Sequence, residues 1–460
     1  MHANSAGARD IAHVLHGYVN LKTQLERPPT VMVGGKGIYV MDENGTPYME
    51  GAAGMWCTAF GFGEEALIDA ATEQLRKLPY YHTVAYKSVN PAIDLAERLA
   101  ALAPIANGHV YFALSGSEAN DFLVKFIRFY NNARGRPQKK KIISRVNGYH
   151  GATVMATSLT GLPVNHRNFD LPLPGIIHVA DPHYFRNGRD GESREAFAAR
   201  LVQELEDTIL REGPDTIAAF IAEPITGGGG VSIPPLSYYA GVRDVLSKFD
   251  IFFLDDEVIN GFYRTGKLWG CQTMDFRPDT MTLAKGLTSA YQPLAAIVVS
   301  DEIFQGLVEG SAATGYFGHG STYSGHPVGC AVALKVLDLL EERNIGAHVE
   351  RVSKRFLARL NGLADHPYVG EVRGAGLIGA IEFVADKKSK APLIPVGTFG
   401  GKVRDRAEEF YKLIVRALPG CDGCAFSPPL IISEEEIDEM FDRFTKALED
   451  VSAMYERAVR

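Results

Sequence analysis

The chain has 460 residues, of which 46% are hydrophobic and 22% charged, and its formal net charge is −8. This composition is typical of a globular protein with a large core, and the acidic balance argues against nucleic acid or an acidic membrane as a partner. The length predicts two to three structural units, or one large unit with a smaller lobe.

The N-terminal residues predict neither a secretory signal nor a membrane anchor. Residues 1–6 lack a basic region followed by an apolar core, and no apolar run approaches the ~20 residues that cross a bilayer. The five cysteines are scattered and odd in number, which favours a reducing compartment over a disulfide framework. We therefore expect a cytoplasmic enzyme or binding protein without a membrane partner.

The first 103 residues predict a β-hairpin followed by two helices. Residues 38–41 and 47–49 are apolar runs that flank the turn 42–45, which carries an Asn-Gly pair. Residues 64–77 and 90–103 have helical periodicity. Between these elements lies a loop of small residues that carries Trp56.

From residue 110 the pattern alternates between strand and helix. Apolar runs predict strands at residues 110–114, 141–146, 217–222, 251–254, 280–284 and 295–300. Near-continuous apolar strands separated by helical segments are typical of a parallel sheet covered on both faces. The sequence therefore predicts a large α/β domain over residues 59–326, with a mostly parallel central sheet flanked by helices.

The C-terminal part predicts a second, smaller α/β lobe. A connector helix at 327–345 precedes helices and strands that are predicted at 349–364, 369–373, 377–383, 401–418 and 434–457. Together, residues 327–460 and the N-terminal segment 1–58 are expected to form the small domain. The CxxC pair Cys421 and Cys424 has no second ligand pair at zinc-site spacing, so we interpret it as a loop and predict no metal.

Residues that can carry chemistry follow the ends of the predicted strands. They are the turn at 115–120, Tyr149 and His150 within 148–151, Glu223, Asp256, and Lys285. Because ligands of open parallel sheets bind beyond the carboxyl ends of the strands, we expect these residues to share one edge.

Each residue also has an ordinary structural interpretation. The turn at 115–120 is either an anion cradle at a helix N-terminus or a plain serine cap. Asp256 is either the partner of a buried cation or a helix cap. Lys285 follows an apolar run, so it is either a desolvated nucleophile or a surface lysine.

Taken jointly, the three features match what pyridoxal 5′-phosphate requires. Lys285 would bind its aldehyde, Asp256 would keep its ring nitrogen protonated, and the helix N-terminus would hold its phosphate. Tyr149 supplies a ring for stacking, and Val258 supplies an apolar wall for the other face.

The sequence resembles the class III, or ω-, aminotransferases of the fold type I pyridoxal-phosphate enzymes over nearly the whole chain. The segments that carry the resemblance are 115–120, 148–151, 223–224, 254–266, 283–286 and 318–327. The resemblance implies that Lys285 is the Schiff-base lysine and that Asp256 pairs with the pyridine nitrogen.

The resemblance also implies roles for the residues around them. Gly116 and Ser117 would hold the phosphate, Tyr149 would stack on the ring, and Glu223 would lie near the ring hydroxyl. His150 and Val258 belong to the same expected cofactor site. Ser321 and Thr322 would reach the phosphate of a neighbouring subunit, which implies a homodimer or a dimer of dimers.

Within the family, the details resemble the amine:pyruvate subgroup. There, the tryptophan that matches Trp56 lines the substrate pocket with Tyr149. The arginine that matches Arg416 swings in to pair with a substrate carboxylate and swings out for an apolar amine. Tyr263 and the glycines 227–230 depart from the common pattern, which affects the expected pocket shape.

We therefore expect a transaminase that moves an amino group from a primary amine or ω-amino acid to pyruvate. Within the fold, a 2-oxoglutarate-dependent 4-aminobutanoate or diamine aminotransferase, a racemase, an aminomutase or a decarboxylase remains open. A non-catalytic binding protein is the alternative from another class. The sequence does not identify the amine donor.

Overall fold

Three β-sheets organise residues 5–459, the part of the chain that the computed structural model describes. The strands are β1 (Met32–Lys36), β2 (Tyr39–Asp42), β3 (Pro47–Glu50), β4 (His109–Ala113), β5 (Lys141–Arg145), β6 (Ile176–Val179), β7 (Ile217–Ala222), β8 (Phe252–Asp256), β9 (Thr280–Leu283), β10 (Ala295–Val299), β11 (Val369–Ala375), β12 (Ile378–Phe383), β13 (Leu413–Ile414), β14 (Arg416–Ala417) and β15 (Gly423–Phe426).

Helices cover the sheets and connect them. They are α1 (Ala6–His13), α2 (Leu21–Gln24), α3 (Ala53–Trp56), α4 (Glu65–Lys77), α5 (Asn90–Leu102), α6 (Gly116–Ala133), α7 (Val154–Leu159), α8 (Pro163–His166), α9 (Tyr184–Asn187), α10 (Arg194–Glu212), α11 (Ser237–Lys248), α12 (Gly270–Thr273), α13 (Asp301–Thr314), α14 (Pro327–Glu342), α15 (Ile345–Asn361), α16 (Phe399–Tyr411) and α17 (Glu434–Val459). Within the described residues, no helix is both long and apolar enough to cross a membrane.

The central sheet has seven strands in the order β4-β10-β9-β8-β7-β5-β6. Strands β9, β8, β7, β5 and β6 are parallel, as predicted for the apolar runs of β5, β7, β8 and β9. Strand β6 was not predicted, and β10 runs antiparallel to both of its neighbours. An apolar strand has the same residue pattern in either direction, so composition does not identify this exception.

Both faces of the central sheet are buried, which confirms the predicted α/β architecture. Leu254 packs with Leu123 and Ile127 of α6 on one face. Phe253 packs on the other face, in the core that contains Phe197 of α10. Adjacent strand residues point to opposite faces, so a strand that is covered on both sides is apolar throughout.

Two four-stranded sheets lie outside the central one, in the orders β1-β2-β3-β13 and β11-β12-β15-β14. The predicted hairpin is present as β2 and β3. Strand β13 pairs in parallel with β3, so N-terminal and C-terminal segments share one sheet. The domain boundaries at 58/59 and 326/327 remain predictions.

Three local predictions were wrong. Strand β8 extends through Asp256, so Asp255 and Asp256 belong to the strand and do not follow it. The helix predicted at 401–418 ends at Tyr411, because the chain then pairs as β13 and β14. Cys424 of the CxxC pair lies in strand β15, not in a loop.

Candidate functional site

A cavity of about 420 Å³ opens at the carboxyl ends of the central strands, with a volume in the usual range for small-molecule sites. Ten of the residues singled out from the sequence line it: Trp56, Gly116, Ser117, Tyr149, His150, Glu223, Asp256, Val258, Lys285 and Arg416. The structure therefore brings together residues that lie up to 360 positions apart (416 − 56) in the chain.

Ser321 and Thr322 do not line this cavity. Thr322 is exposed, and its carbonyl oxygen accepts a hydrogen bond from the Tyr80 hydroxyl at 2.7 Å. Their expected contact with the cofactor of a neighbouring subunit remains a prediction.

The N-terminus of α6 forms the anion-binding end of the cavity. Ser115 caps the helix by accepting a hydrogen bond from the Glu118 N–H at 3.2 Å, and Glu118 Oε2 accepts one from the Leu114 N–H at 2.7 Å. The helix begins at Gly116, within the segment 115–120 that was predicted as a turn. Since the serine cap is present, the backbone N–H groups of Gly116 and Ser117 in the first turn remain available to a ligand.

Gly116 lies close to Val258, which forms one wall of the cavity. A Cβ at this position would lie 2.9 Å from Cγ2 of Val258, so a larger residue would displace that wall. Ser117 is held by its side chain, because its Oγ accepts a hydrogen bond from the Ala152 N–H at 3.0 Å. A small residue followed by an oriented serine suits a phosphate group that must approach the backbone closely.

Asp256 is a buried carboxylate held by three donors. Its Oδ2 accepts hydrogen bonds from Asn120 Nδ2 and His150 Nδ1, both at 2.8 Å, and its Oδ1 accepts one from the Val258 N–H at 3.1 Å. These contacts fix the carboxylate at the end of β8 with its charge directed into the cavity. A cation such as a protonated ring nitrogen would complete its surroundings.

Glu223 organises the backbone around Tyr149. Its Oε1 accepts a hydrogen bond from the Tyr149 N–H at 2.9 Å, and its Oε2 accepts one from the Gly227 N–H at 2.8 Å. Burial raises its pKa above the ordinary value, and the nearby His150 and these N–H donors oppose that rise. The buried guanidinium of Arg145 donates to the Glu223 carbonyl oxygen at 2.6 Å, so the backbone of Glu223 is fixed as well as its side chain.

Lys285 follows β9 at the first residue of a short 3₁₀ turn and lies in the left-handed backbone region, at φ 48°. Such a conformation in a non-glycine residue is costly and persists where the surroundings impose it. Burial lowers the pKa of Lys285, while Cys57, Asp256 and Glu223 oppose the shift. A larger fraction of the Lys285 side chain is therefore the unprotonated, nucleophilic amine than in an ordinary lysine.

The substrate side of the cavity is formed by Trp56, Tyr149 and Arg416. Trp56 is nearly fully buried and ends the distorted helix α3 with a φ of 67°. Arg416 Nη1 lies 3.1 Å from Sδ of Met55, and burial lowers the pKa of Arg416. Among residues 5–459, no carboxylate lies within 4 Å of this guanidinium.

Asn120, Tyr18 and Met55 are among the residues of the site that were not singled out from the sequence. Asn120 lay within the quoted motif, and its position one helical turn after Gly116 could have placed it on the same face. Tyr18 and Met55 also line the cavity. Tyr18 lies between α1 and α2, and Met55 lies in the four-residue, distorted helix α3. Neither segment is long enough to show periodicity, so the sequence contained no periodic signal for these residues.

The residues present fit pyridoxal 5′-phosphate. The helix N-terminus suits a phosphate, the Asp256 carboxylate suits a protonated ring nitrogen, and the amine of Lys285 suits an aldehyde. Tyr149 and Val258 line the cavity with an aromatic face and an apolar wall. The donor set thus matches each functional group of the cofactor.

Known proteins resemble this chain along almost its full length. The family model described as Aminotransferase class-III matches residues 22–448. The gamma aminobutyrate transaminase 3, chloroplastic, of Solanum lycopersicum is 45% identical over 429 residues, which are 93% of this chain and 82% of the relative. The gamma-aminobutyrate transaminase 1, mitochondrial, of Oryza sativa subsp. japonica is 46% identical over 426 residues, which are 91% and 81%.

A solved structure agrees with the same architecture. The ω-transaminase from Pseudomonas jessenii in complex with PMP aligns with a TM-score of 0.96 at 48% identity, and the match covers 98% of this chain and 99% of that one. The predicted fold type I architecture is confirmed by this likeness.

Proposed function

Because the chain belongs to the class III aminotransferase family and uses pyridoxal 5′-phosphate, we propose that it moves an amino group from a primary amine or ω-amino acid to pyruvate. The products are an aldehyde or ketone and alanine. The proposed cellular location is the cytoplasm.

The unpaired guanidinium of Arg416 is the observation that carries this proposal. It lines the same cavity as Lys285, and no described carboxylate neutralises it. A guanidinium binds a carboxylate through two parallel hydrogen bonds, so pyruvate fits this position. The long side chain also has the freedom to leave when the donor is an apolar amine.

The other residues of the site have separate roles in the proposed reaction. When bound, pyridoxal 5′-phosphate supplies an aldehyde that bonds to amines and a ring that withdraws electrons from the adjacent carbon. Nζ of Lys285 takes the proton from the carbon that carries the amino group, and its lowered pKa favours the unprotonated form. Asp256 would accept a hydrogen bond from the protonated ring nitrogen, and Gly116 and Ser117 would hold the phosphate.

A second candidate is a transaminase that uses 4-aminobutanoate as its donor. The relatives from Solanum lycopersicum and Oryza sativa are named gamma-aminobutyrate transaminases and are 45–46% identical. This donor also carries a carboxylate that Arg416 would bind, so the two candidates share the same chemistry and differ in their physiological substrates.

We further propose a homodimer or dimer of dimers, in which Ser321 and Thr322 of one subunit bind the phosphate at the site of its neighbour. Analytical ultracentrifugation of the purified protein tests the assembly. A monomer with full activity would contradict it.

A donor panel tested with pyruvate and with 2-oxoglutarate decides between the candidates. Incubation with amine alone should convert the cofactor to its amine form, which a racemase or decarboxylase would not do. Lys285→Ala should lose the visible absorbance of the bound cofactor and the activity, whereas the exposed Lys267→Ala should keep both. An active Lys285→Ala variant that retains the absorbance would refute the assignment.

A further inference from the structure

Tyr18 reaches the active-site cavity from the N-terminal segment. Its side chain is 65% exposed and its backbone lies in the left-handed region at φ 56°, yet its hydroxyl has two polar partners, of which Tyr149 lines the cavity. Asn165 Nδ2 lies 3.0 Å from this hydroxyl, and the Tyr149 hydroxyl lies 3.3 Å from it. Three polar side chains thus form a short hydrogen-bonded chain from Asn165 to Tyr149.

The hydrogen bonds of this chain are donated in one direction, from Asn165 to Tyr18 and from Tyr18 to Tyr149. An amide NH₂ group only donates, so Asn165 occupies a lone pair of the Tyr18 oxygen. The Tyr18 O–H then donates to the Tyr149 oxygen. The remaining proton of the Tyr149 hydroxyl is left for a group inside the cavity.

Tyr149 is well suited to keep that proton. Burial raises its pKa, while the positive charge of Arg416 opposes the rise. Tyr18, Tyr149 and Arg416 line the same cavity. A hydroxyl donor beside an unpaired guanidinium favours an acceptor that carries a negative charge.

We propose that Tyr18 and Asn165 are positioning residues that orient the Tyr149 hydroxyl as a hydrogen-bond donor to the substrate carboxylate that Arg416 binds. They thereby favour substrates that carry a carboxylate over amines that lack one. This inference rests on the carboxylate-binding role proposed for Arg416.

The test compares two donors that differ only in the carboxylate, 4-aminobutanoate and n-butylamine, in the half-reaction without an acceptor. Tyr18→Phe keeps the ring and removes only the hydroxyl. A neutral hydrogen bond of ordinary strength predicts an about two- to tenfold weaker apparent affinity for 4-aminobutanoate. The rate at saturation and the affinity for n-butylamine should remain unchanged.

Further variants make the test specific. Asn165→Ala should shift the 4-aminobutanoate affinity in the same direction, and the double variant should show no further loss, because both changes break one chain. Tyr316→Phe, at another tyrosine whose side chain is 75% exposed, is the matched control and should behave like the wild type. Inhibition by butanoate should weaken in Tyr18→Phe, which reports binding without turnover.

Equal losses for both donors in Tyr18→Phe would overturn the proposal, since a merely structural role moves both. Tighter binding of 4-aminobutanoate would also overturn it, because the chain of hydrogen bonds would then run in the opposite direction. A wild-type enzyme that converts no amine of the donor panel with pyruvate would refute the proposed function, which is a separate outcome.

Discussion

Asn120 supports the buried carboxylate of Asp256, and its replacement by alanine gives a quantitative test of the site. Its Nδ2 donates to Asp256 Oδ2 and to the His150 carbonyl oxygen, both at 2.8 Å. A hydrogen bond to a charged group contributes about 1.5–3 kcal/mol, and one to a neutral carbonyl about 0.5–1.5 kcal/mol. We expect Asn120→Ala to destabilise the cofactor-free protein by about 2–4 kcal/mol.

Asn131 provides a matched control on the same helix. Both asparagines are 1% exposed, but Asn131 donates only to the neutral Ile127 carbonyl, at 3.0 Å. Asn131→Ala should therefore cost about 0.5–1.5 kcal/mol, although it removes the same number of atoms. The difference between the two variants isolates the bond to the carboxylate of Asp256.

Urea unfolding of the cofactor-free variants is the assay, and Asn120→Asp extends the series. That change keeps the shape of the side chain but places a second acidic group beside Asp256, so it should cost more than alanine. The expected order of stability is Asn131→Ala, then Asn120→Ala, then Asn120→Asp. Equal midpoints for the two alanine variants would refute the reasoning.

Three further predictions concern buried charge. Burial lowers the pKa of Lys285 below 10.5, so the cofactor-free protein should become more stable as the pH rises toward 10.5. In Lys285→Met, this increase of stability with pH should be absent. Burial raises the pKa of Glu50 from 4.5 to about 7, so its contribution to stability is lost as the pH rises through this range. The free energy of unfolding of Glu50→Gln should decrease less over the same pH range. Arg373 lies 2.7 Å from Glu371 and 3.1 Å from Glu382, so Arg373→Met should lower the thermal midpoint by the equivalent of about 3–5 kcal/mol.

The sequence predicted the central strands well because their burial on both faces leaves a strong apolar signal. The run at 217–222 matches β7 residue for residue. Short strands were missed where their pairing depends on distant partners. Strand β13 is only two residues long and forms because Leu413 and Ile414 pair with Met49 and Glu50.

The cofactor side of the site was more predictable than the substrate side, and the reason is topological. Asp256, Lys285 and Glu223 end or follow strands of one parallel sheet, so the chain order alone brings them to one edge. Tyr18 reaches the cavity from the segment between α1 and α2, and Met55 from the distorted helix α3, and both segments contain left-handed residues. Local propensity does not encode such contacts, because they depend on the completed tertiary structure.

In the cavity, the acidic groups have hydrogen-bond donors from the chain, but the positive groups lack acidic partners among the described residues. The cavity therefore favours anionic ligands. Both oxygens of Glu223 and of Asp256 accept hydrogen bonds from the chain itself. Neither Lys285 nor Arg416 has a carboxylate within 4 Å in the described part of the chain. The acids thus have hydrogen-bond donors within the chain, whereas the Arg416 guanidinium has no carboxylate partner among the described residues, and the N-terminus of α6 adds a second positive end. A phosphate at the helix and a carboxylate at Arg416 supply the missing negative charges, so cofactor and substrate binding should each stabilise the fold, and each effect should weaken as salt screens it.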